Sequence, residues 1–239
     1  VIVAGGGGKN GTPSGDYVMA FALPEKTNPK RELAQADADG WISLFDGETL
    51  DGWVHMNGSH SYTVEGGAII GRTTPYSQNS FLCSLQEFDN FELECEVMVD
   101  TITNQGIQFR SSVRPVSERD HPNWRAGRVW GPQVEIRQNM GDITTGVLYG
   151  EALGSGWMSS EEKMENGHDY FIPGGWNKIR LIANGPRIQT FVNGYPVEDL
   201  TDEEVHRTHP KGFIALQIHG IDGERQFVMG WRDIKVRPL

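Results

Sequence analysis

The feature that most constrains this chain is an apolar/polar alternation with a period of two. Phe91-Glu-Leu-Glu-Cys-Glu-Val-Met-Val99 largely keeps it over nine residues. That is the mark of a strand with one face buried and the other wet. Gly106-Ile-Gln-Phe-Arg110 repeats the pattern, setting Ile107 and Phe109 against Gln108 and Arg110. Gln133-Val-Glu-Ile-Arg137 does the same, with Val134 and Ile136 on one side and Gln133, Glu135 and Arg137 on the other. Residues 176–183, 187–192, 213–219 and 231–236 read as further strands, and Asn193-Gly194 is a strong hairpin turn. Helical periodicity is weak throughout, apart from a single turn within 199–205. The chain is therefore expected to be all-β, a two-sheet antiparallel sandwich or jelly roll with long loops over a concave sheet.

The 239 residues suffice for one large sandwich, and 30 glycines with 12 prolines suit a turn-rich β protein. Residues 1–39 read differently from the rest. A glycine run at 5–8 precedes one apolar patch at 17–23 and then a polar stretch, as in a linker or arm. The sandwich domain is expected to occupy residues 40–239. No apolar run approaches the 18 or so residues of a membrane span. A formal net charge of −11 argues against nucleic acid or an anionic membrane surface as partner.

Cys83 and Cys95 flank a turn-like stretch at 86–90. If 81–85 and 91–99 pair around Asp89, the sulfurs face each other. A cross-strand disulfide and two buried free thiols are both open. Neither a CxxC spacing nor a His pair accompanies them, which argues against zinc.

The chemistry lies on the polar sides of the strands. Glu92, Glu94 and Glu96 form one row, and Gln108 with Arg110 a second. Gln133, Glu135 and Arg137 form a third row, and Gln217 with His219 a fourth. Long planar hydrogen-bonding groups on central strands suit a polyhydroxylated ligand. The plainer reading is a solvated face with internal ion pairs, such as Arg110 to Glu135. The long connections at 111–130 and 150–175 carry Trp124, Trp130, Trp157 and Tyr170, either for a sugar site or as plugs for the sandwich ends. His219 facing Glu135 would be a candidate general base. The same two residues could instead ligate a divalent cation of the Ca or Mn type, with water completing the shell. No nucleotide-binding loop, GxSxG elbow or HExxH is present. The ExDxxE carboxylate strand of sandwich-fold glucanases is also missing, which disfavours a conventional two-carboxylate glycosidase.

Gly40-Trp-Ile-Ser-Leu-Phe-Asp-Gly-Glu-Thr-Leu-Asp-Gly-Trp53 closely resembles the opening motif of the 3-keto-disaccharide hydrolase domain family. Asn104-Gln-Gly-Ile-Gln-Phe-Arg110, Gly131-Pro-Gln-Val-Glu-Ile136 and Thr145-Gly-Val-Leu-Tyr149 resemble its later blocks. Gly212-Phe-Ile-Ala-Leu-Gln-Ile-His-Gly220 and Trp231-Arg-Asp-Ile-Lys235 follow in the family's order. The sequence departs from the commoner pattern at Gln105, where Ser is usual, and in the order Gln133-Val-Glu135.

The resemblance implies a concanavalin A-like sandwich in an exported, periplasmic or extracellular protein. It also implies action on glycosides already oxidised at C3 by a separate dehydrogenase. A C3 ketone acidifies the C2 proton, so a base can remove it and expel the C1 substituent, and water can add afterwards. On that mechanism His219 or Glu135 is the base, and Arg110 and Gln133 stabilise the enolate directly or through a cation. Tyr149 protonates the leaving oxygen, and Gln108 and Gln217 orient hydroxyls. Arg137, Trp130 and Trp157 complete the expected substrate contacts. The rival readings are a non-catalytic carbohydrate-binding module on the same fold, and an interaction domain whose arm at 17–23 adds a strand to a neighbour.

Overall fold

The computed structural model describes residues 2–4, 18–20, 35–99, 103–115, 127–139, 142–166 and 170–239. Trp124 lies outside the described residues. The chain divides into two compact units, Val1–Arg31 and Glu32–Leu239. In the first, β1 (Ile2–Ala4) pairs antiparallel with β2 (Val18–Ala20), which falls within the expected apolar patch.

The second unit contains the remaining described strands. In chain order these begin with β3 (Ile42–Ser43), β4 (Trp53–Asn57), β5 (Ser61–Glu65), β6 (Ala68–Arg72) and β7 (Ser80–Phe88). β8 (Phe91–Val99), β9 (Thr103–Val113), β10 (Val129–Asn139), β11 (Asp142–Glu151) and β12 (Gly156–Trp157) follow. After a short helix α1 (Glu161–Asn166) come β13 (Asn177–Asn184), β14 (Arg187–Val192) and β15 (Tyr195–Thr201). Helix α2 (Glu203–Thr208), β16 (Gly212–Ile218) and β17 (Val228–Pro238) complete the unit. The turn expected within 199–205 is instead the end of β15 and the start of α2, which is capped by the Asp202 side chain accepting from Val205 N–H at 2.9 Å.

The architecture is the expected all-β sandwich. One sheet runs β12-β11-β10-β9-β16-β7-β4; the other runs β15-β14-β13-β8-β17-β6-β5, with β3 beside β17. Their inner faces meet in one apolar core. Ile107, Val134, Ile136, Leu148, Leu216 and Ile218 come from the first sheet, and Leu93, Val97, Leu181, Trp231 and Val236 from the second. Fully burying such a side chain stabilises by about 1.5–3 kcal/mol.

Glu92, Glu94 and Glu96 are on β8 and so belong to the second sheet, not to the rows of β9, β10 and β16. They point outward into an ion-pair ladder. Glu92 meets Arg180 and Arg237, Glu94 meets Lys178 at 2.9 Å and Lys235 at 3.2 Å, and Glu96 meets Arg232 at 2.6 Å. Partly exposed pairs of this kind contribute about 0–1 kcal/mol each, so the core and not the ladder holds the sandwich.

The separation of β7 from β8 also decides the cysteines. Cys83 on β7 and Cys95 on β8 lie in different sheets, and both are buried free thiols. No cross-strand disulfide forms, because the turn after Phe88 passes the chain from one sheet to the other instead of making a hairpin. Among the described residues no helix is long and apolar enough to cross a membrane.

Candidate active site

The first sheet turns its other face away from the core, and strand register sets what that face carries. β9 and β10 pair Asn104 with Arg137, Gly106 with Glu135 and Gln108 with Gln133. β16 places Gln217 opposite Gly106, β11 places Tyr149 opposite Gln133, and β12 places Trp157 opposite Tyr149. Directly paired residues project to the same side, so the polar alternation read from these segments converges on one surface. The result is a pocket of about 590 Å³, within the usual range for small-molecule sites.

Glu135 sits at its centre and is only 3% exposed. Burial pushes its carboxyl up from 4.5 to about 7. The hydrogen bond from Gln133, the charge of Arg137 and a bond from Asn104 pull the other way, while Glu151 adds to the rise. A chain of amides aims at this carboxyl. Ser111 Oγ donates to Gln108 Oε1 at 2.7 Å, Gln108 Nε2 donates to Gln133 Oε1 at 2.7 Å, and Gln133 Nε2 donates to Glu135 Oε2 at 2.8 Å. Gly106 makes this possible, because a Cβ there would lie 2.2 Å from Gln133 Cδ.

A second carboxylate, Glu151, enters from the end of β11. It accepts from Arg128, from Gln217 Nε2 at 3.2 Å and from Asn79 Nδ2 at 3.4 Å. Three strand spacings separate β11 from β16, roughly 14 Å on a flat sheet. The Gln217 contact therefore requires the face to be concave. Asn79 is itself fixed by accepting from Gly220 N–H at 2.8 Å.

His219 lies exposed at the pocket rim. Its Nδ1 donates to the Gly220 carbonyl at 2.8 Å, which orients the ring. Buried His60 donates from Nε2 to the His219 carbonyl at 3.0 Å and fixes the rim from below. On the far side, Tyr149 meets Trp157 edge to face, with ring centroids 5.2 Å apart. Burial, then the charges of Glu151 and Glu135, raise the Tyr149 phenol pKa and keep it protonated.

Glu135, Gln133, Gln217, Arg137, Tyr149, Trp157 and His219 thus line one pocket. Gln108 lies beneath it as the holder of Gln133. Arg110 and Trp130 are elsewhere. β9 advances three residues from Gln108 to Ser111 while β16 advances two, and Arg110 sits in that bulge with φ at 46°. The bulge breaks the alternation that would have put Arg110 beside Glu135. Its guanidinium donates instead to the Asp89 carbonyl at 2.6 Å, the Gly185 carbonyl at 2.7 Å and Asn90 Oδ1 at 3.0 Å. Burial lowers its pKa to about 10, still cationic at neutral pH. Trp130 lies under the Arg114 guanidinium at 4.4 Å and against His209 at 4.6 Å, a packing role away from the pocket.

Asn79, Asn104, Arg128 and Glu151 belong to the pocket but were not among the expected site residues. Alternation from Tyr149 on β11 points to Glu151, and alternation back from Gly106 points to Asn104. Nothing in the sequence points to Asn79 or Arg128, which reach the pocket from beyond strand ends.

Among the described residues no group of three or more His, Cys, Asp or Glu side chains could hold a metal ion.

A profile of the 3-keto-alpha-glucoside-1,2-lyase-like domain matches residues 40–237. The chain belongs to this family. A 3-keto-disaccharide hydrolase of Bacteroides thetaiotaomicron is 32% identical over 92 residues, which is 35% of this chain and 32% of that protein. The match therefore spans about a third of the relative's length. An inferred glycosyl hydrolase of Parabacteroides distasonis superposes with a TM-score of 0.54 at 17% identity, over 84% of this chain and 95% of that one. A galectin-like protein of unknown function from Bacillus subtilis gives 0.57 at 12% identity, over 86% and 97%. At such identities these two structures establish the jelly-roll fold alone.

Proposed function

We propose that this family member cleaves glycosides carrying a ketone at C3, with Glu135 as the base that removes the C2 proton. The observation that carries this reading is a buried carboxyl held near neutrality inside a polar pocket, with a protonated phenol on the neighbouring strand. A base is most effective when its pKa lies near the working pH, and about 7 meets that condition. His219 is exposed at the rim, which favours Glu135 over it for this step.

Glu135 takes the C2 proton, and the electron pair passes into the C3 carbonyl to give an enolate. Arg137 and Asn104, beside Glu135 on the same face, supply N–H donors for the developing oxyanion in the place once expected of Arg110. The enolate collapses by breaking the C1–O bond, Tyr149 delivers a proton to the departing oxygen, and an enone remains. Addition of water to the enone would make the net reaction a hydrolysis. Gln133 and Gln217 orient hydroxyls, and no step needs a cation. The substrate must come from a reaction that oxidises the C3 hydroxyl, so an upstream glycoside 3-dehydrogenase and an exported setting form part of the proposal.

The test follows products by NMR from a 3-keto-glucoside deuterated at C2. Release of the C1 substituent slowed severalfold by deuterium supports the elimination. Release with no isotope effect from unoxidised glucosides contradicts it.

A further inference from the structure

We propose that Asn57, on the edge strand β4 and outside the pocket, is a positioning residue: it latches a strap across the concave face and so sets Arg128 against Glu151. The latch rests on geometry, and only its effect on turnover rests on the elimination reading.

The first observation is where the chain leaves the sheet. Arg110 takes its positive φ on β9, and Gly131 turns β10 with φ at 147°. A Cβ at Gly131 would lie 2.3 Å from Ser111 Oγ, so the bare backbone of glycine lets the two strands bend together there. Beyond the bend they still pair, Val129 with Val113 and Trp130 with Ser112. Arg114 N–H then donates to the Arg128 carbonyl at 2.9 Å, and Gly127 N–H to the Arg114 carbonyl at 3.0 Å. Residues 111–114 and 127–130 thus form a paired strap.

The second observation is where the strap goes. Val129 is buried in a small apolar cluster with Phe81, Cys83, Phe213 and Ala215, and Met56 packs against it. Register puts three of these on the pocket side of the sheet. Phe81 stands opposite Gln217, Cys83 opposite Ala215, and Ala215 opposite Gln108. The strap therefore lies over β16 and β7 and reaches β4. There Asn57 Nδ2 donates to the Gly127 carbonyl at 2.8 Å, and Asn57 Oδ1 accepts from Val129 N–H at 2.8 Å. Four strand spacings separate β4 from β10, roughly 19 Å on a flat sheet, so strands kept in plane could not make these bonds. Asn57 itself has φ at 58°, a left-handed conformation that asparagine tolerates better than most residues.

The third observation is what the strap carries. Arg128 lies between the two residues that Asn57 holds, and its guanidinium pairs with Glu151 in the pocket. Arg114 Nη2 donates to the Ala152 carbonyl at 2.9 Å, which ties the strap to the pocket wall as well. The strap is fastened on both sides. The charge of Glu151 acts on Glu135 and on Tyr149, and Arg128 opposes it at Tyr149. A guanidinium moved off Glu151 leaves a buried carboxylate unmatched beside both groups.

The experiment treats native protein with iodoacetamide and maps Cys83 and Cys95 by peptide mass, in wild type, Asn57→Gly and Asn57→Asp. Glycine keeps the positive φ and removes both bonds. Aspartate keeps the acceptor for Val129 N–H and loses the donor to Gly127. We expect Cys83 to be labelled roughly tenfold faster in N57G, the effect of two ordinary hydrogen bonds. N57D should give a smaller gain, and Cys95, in the main core, should be unchanged in both. Labelling of Cys83 at the wild-type rate in N57G, or equal acceleration of both cysteines in both variants, overturns the latch. In turnover of a 3-keto-glucoside, N57G should lower kcat about tenfold with KM nearly unchanged, and should add no further loss to Arg128→Met. Losses that multiply in the double variant overturn the positioning role. If the wild type turns over no keto substrate, the elimination reading has failed, and the labelling alone decides the latch.

Discussion

Gln133 donates a 2.8 Å hydrogen bond to Glu135, two residues further along the same strand, across the bare backbone of Gly106 on the neighbouring one. The bond steadies one oxygen of the carboxyl without cancelling its burial, so Glu135 remains raised to about 7.

That raised value has a consequence for stability. Below about pH 4.5 Glu135 is protonated in both folded and unfolded chains, and its burial costs no charge. Between 4.5 and about 7 the unfolded chain ionises first, so the folded state loses stability as pH rises. Above 7 the loss is complete and on the order of 3 kcal/mol. Glu135→Gln removes it, so the variant should gain stability over wild type as pH goes from 5 to 8. Urea unfolding at a series of pH values measures this, and equal pH slopes in both proteins contradict it.

Gly106→Ala places a methyl group against the Gln133 side chain. The backbone itself is not strained there, so Gln133 is what must move, breaking its bonds to Gln108 and Glu135. Overpacking of this kind costs about 1–3 kcal/mol. We expect that loss in chemical denaturation, together with a tenfold or greater drop in turnover of keto substrates. Full activity would mean that the Gln133–Glu135 bond does not matter.

Arg110→Ala separates a structural role from a chemical one. It leaves the Asp89 and Gly185 carbonyls and Asn90 Oδ1 without their cationic donor. The expected loss is about 3 kcal/mol of stability. Turnover per folded molecule should stay within about twofold of wild type, because the guanidinium is spent outside the pocket. A hundredfold loss in kcat with the fold intact would return Arg110 to the mechanism.

The two thiols give a simple check of the strand assignment. Burial raises both thiol pKa values far above the usual range, which makes them poor nucleophiles. Ellman's reagent should find neither cysteine in the native protein, and both at once in guanidinium, without prior reduction. Absence of reaction in guanidinium until a reductant is added would mean a disulfide.

The strands were legible because burial of one face writes itself as alternation, and Gln133, Glu135 and Gln217 were found that way, whereas Tyr149 came from the family resemblance. Alternation does not say which sheet a strand joins. Phe91–Val99 has the same pattern whether its glutamates face a pocket or an ion-pair ladder, so Glu92, Glu94 and Glu96 were grouped with the wrong strands. Nor does it announce a bulge, since nothing in Phe109-Arg110-Ser111 signals the positive φ that turns Arg110 away. Arg128 and Asn79 enter the pocket through tertiary contacts with Glu151 and carry no periodic trace.

Elimination driven by Glu135 is tested by phenol release from a chromogenic 3-keto-glucoside, run beside the unoxidised glucoside and with Glu135→Gln. We expect release from the keto substrate alone, a rate that rises through about pH 7 as Glu135 ionises, and at least a hundredfold loss in the variant. An EDTA arm measures any contribution of a cation. Undiminished release in E135Q, or release from neither substrate by folded protein, would contradict Glu135 as the base of an elimination.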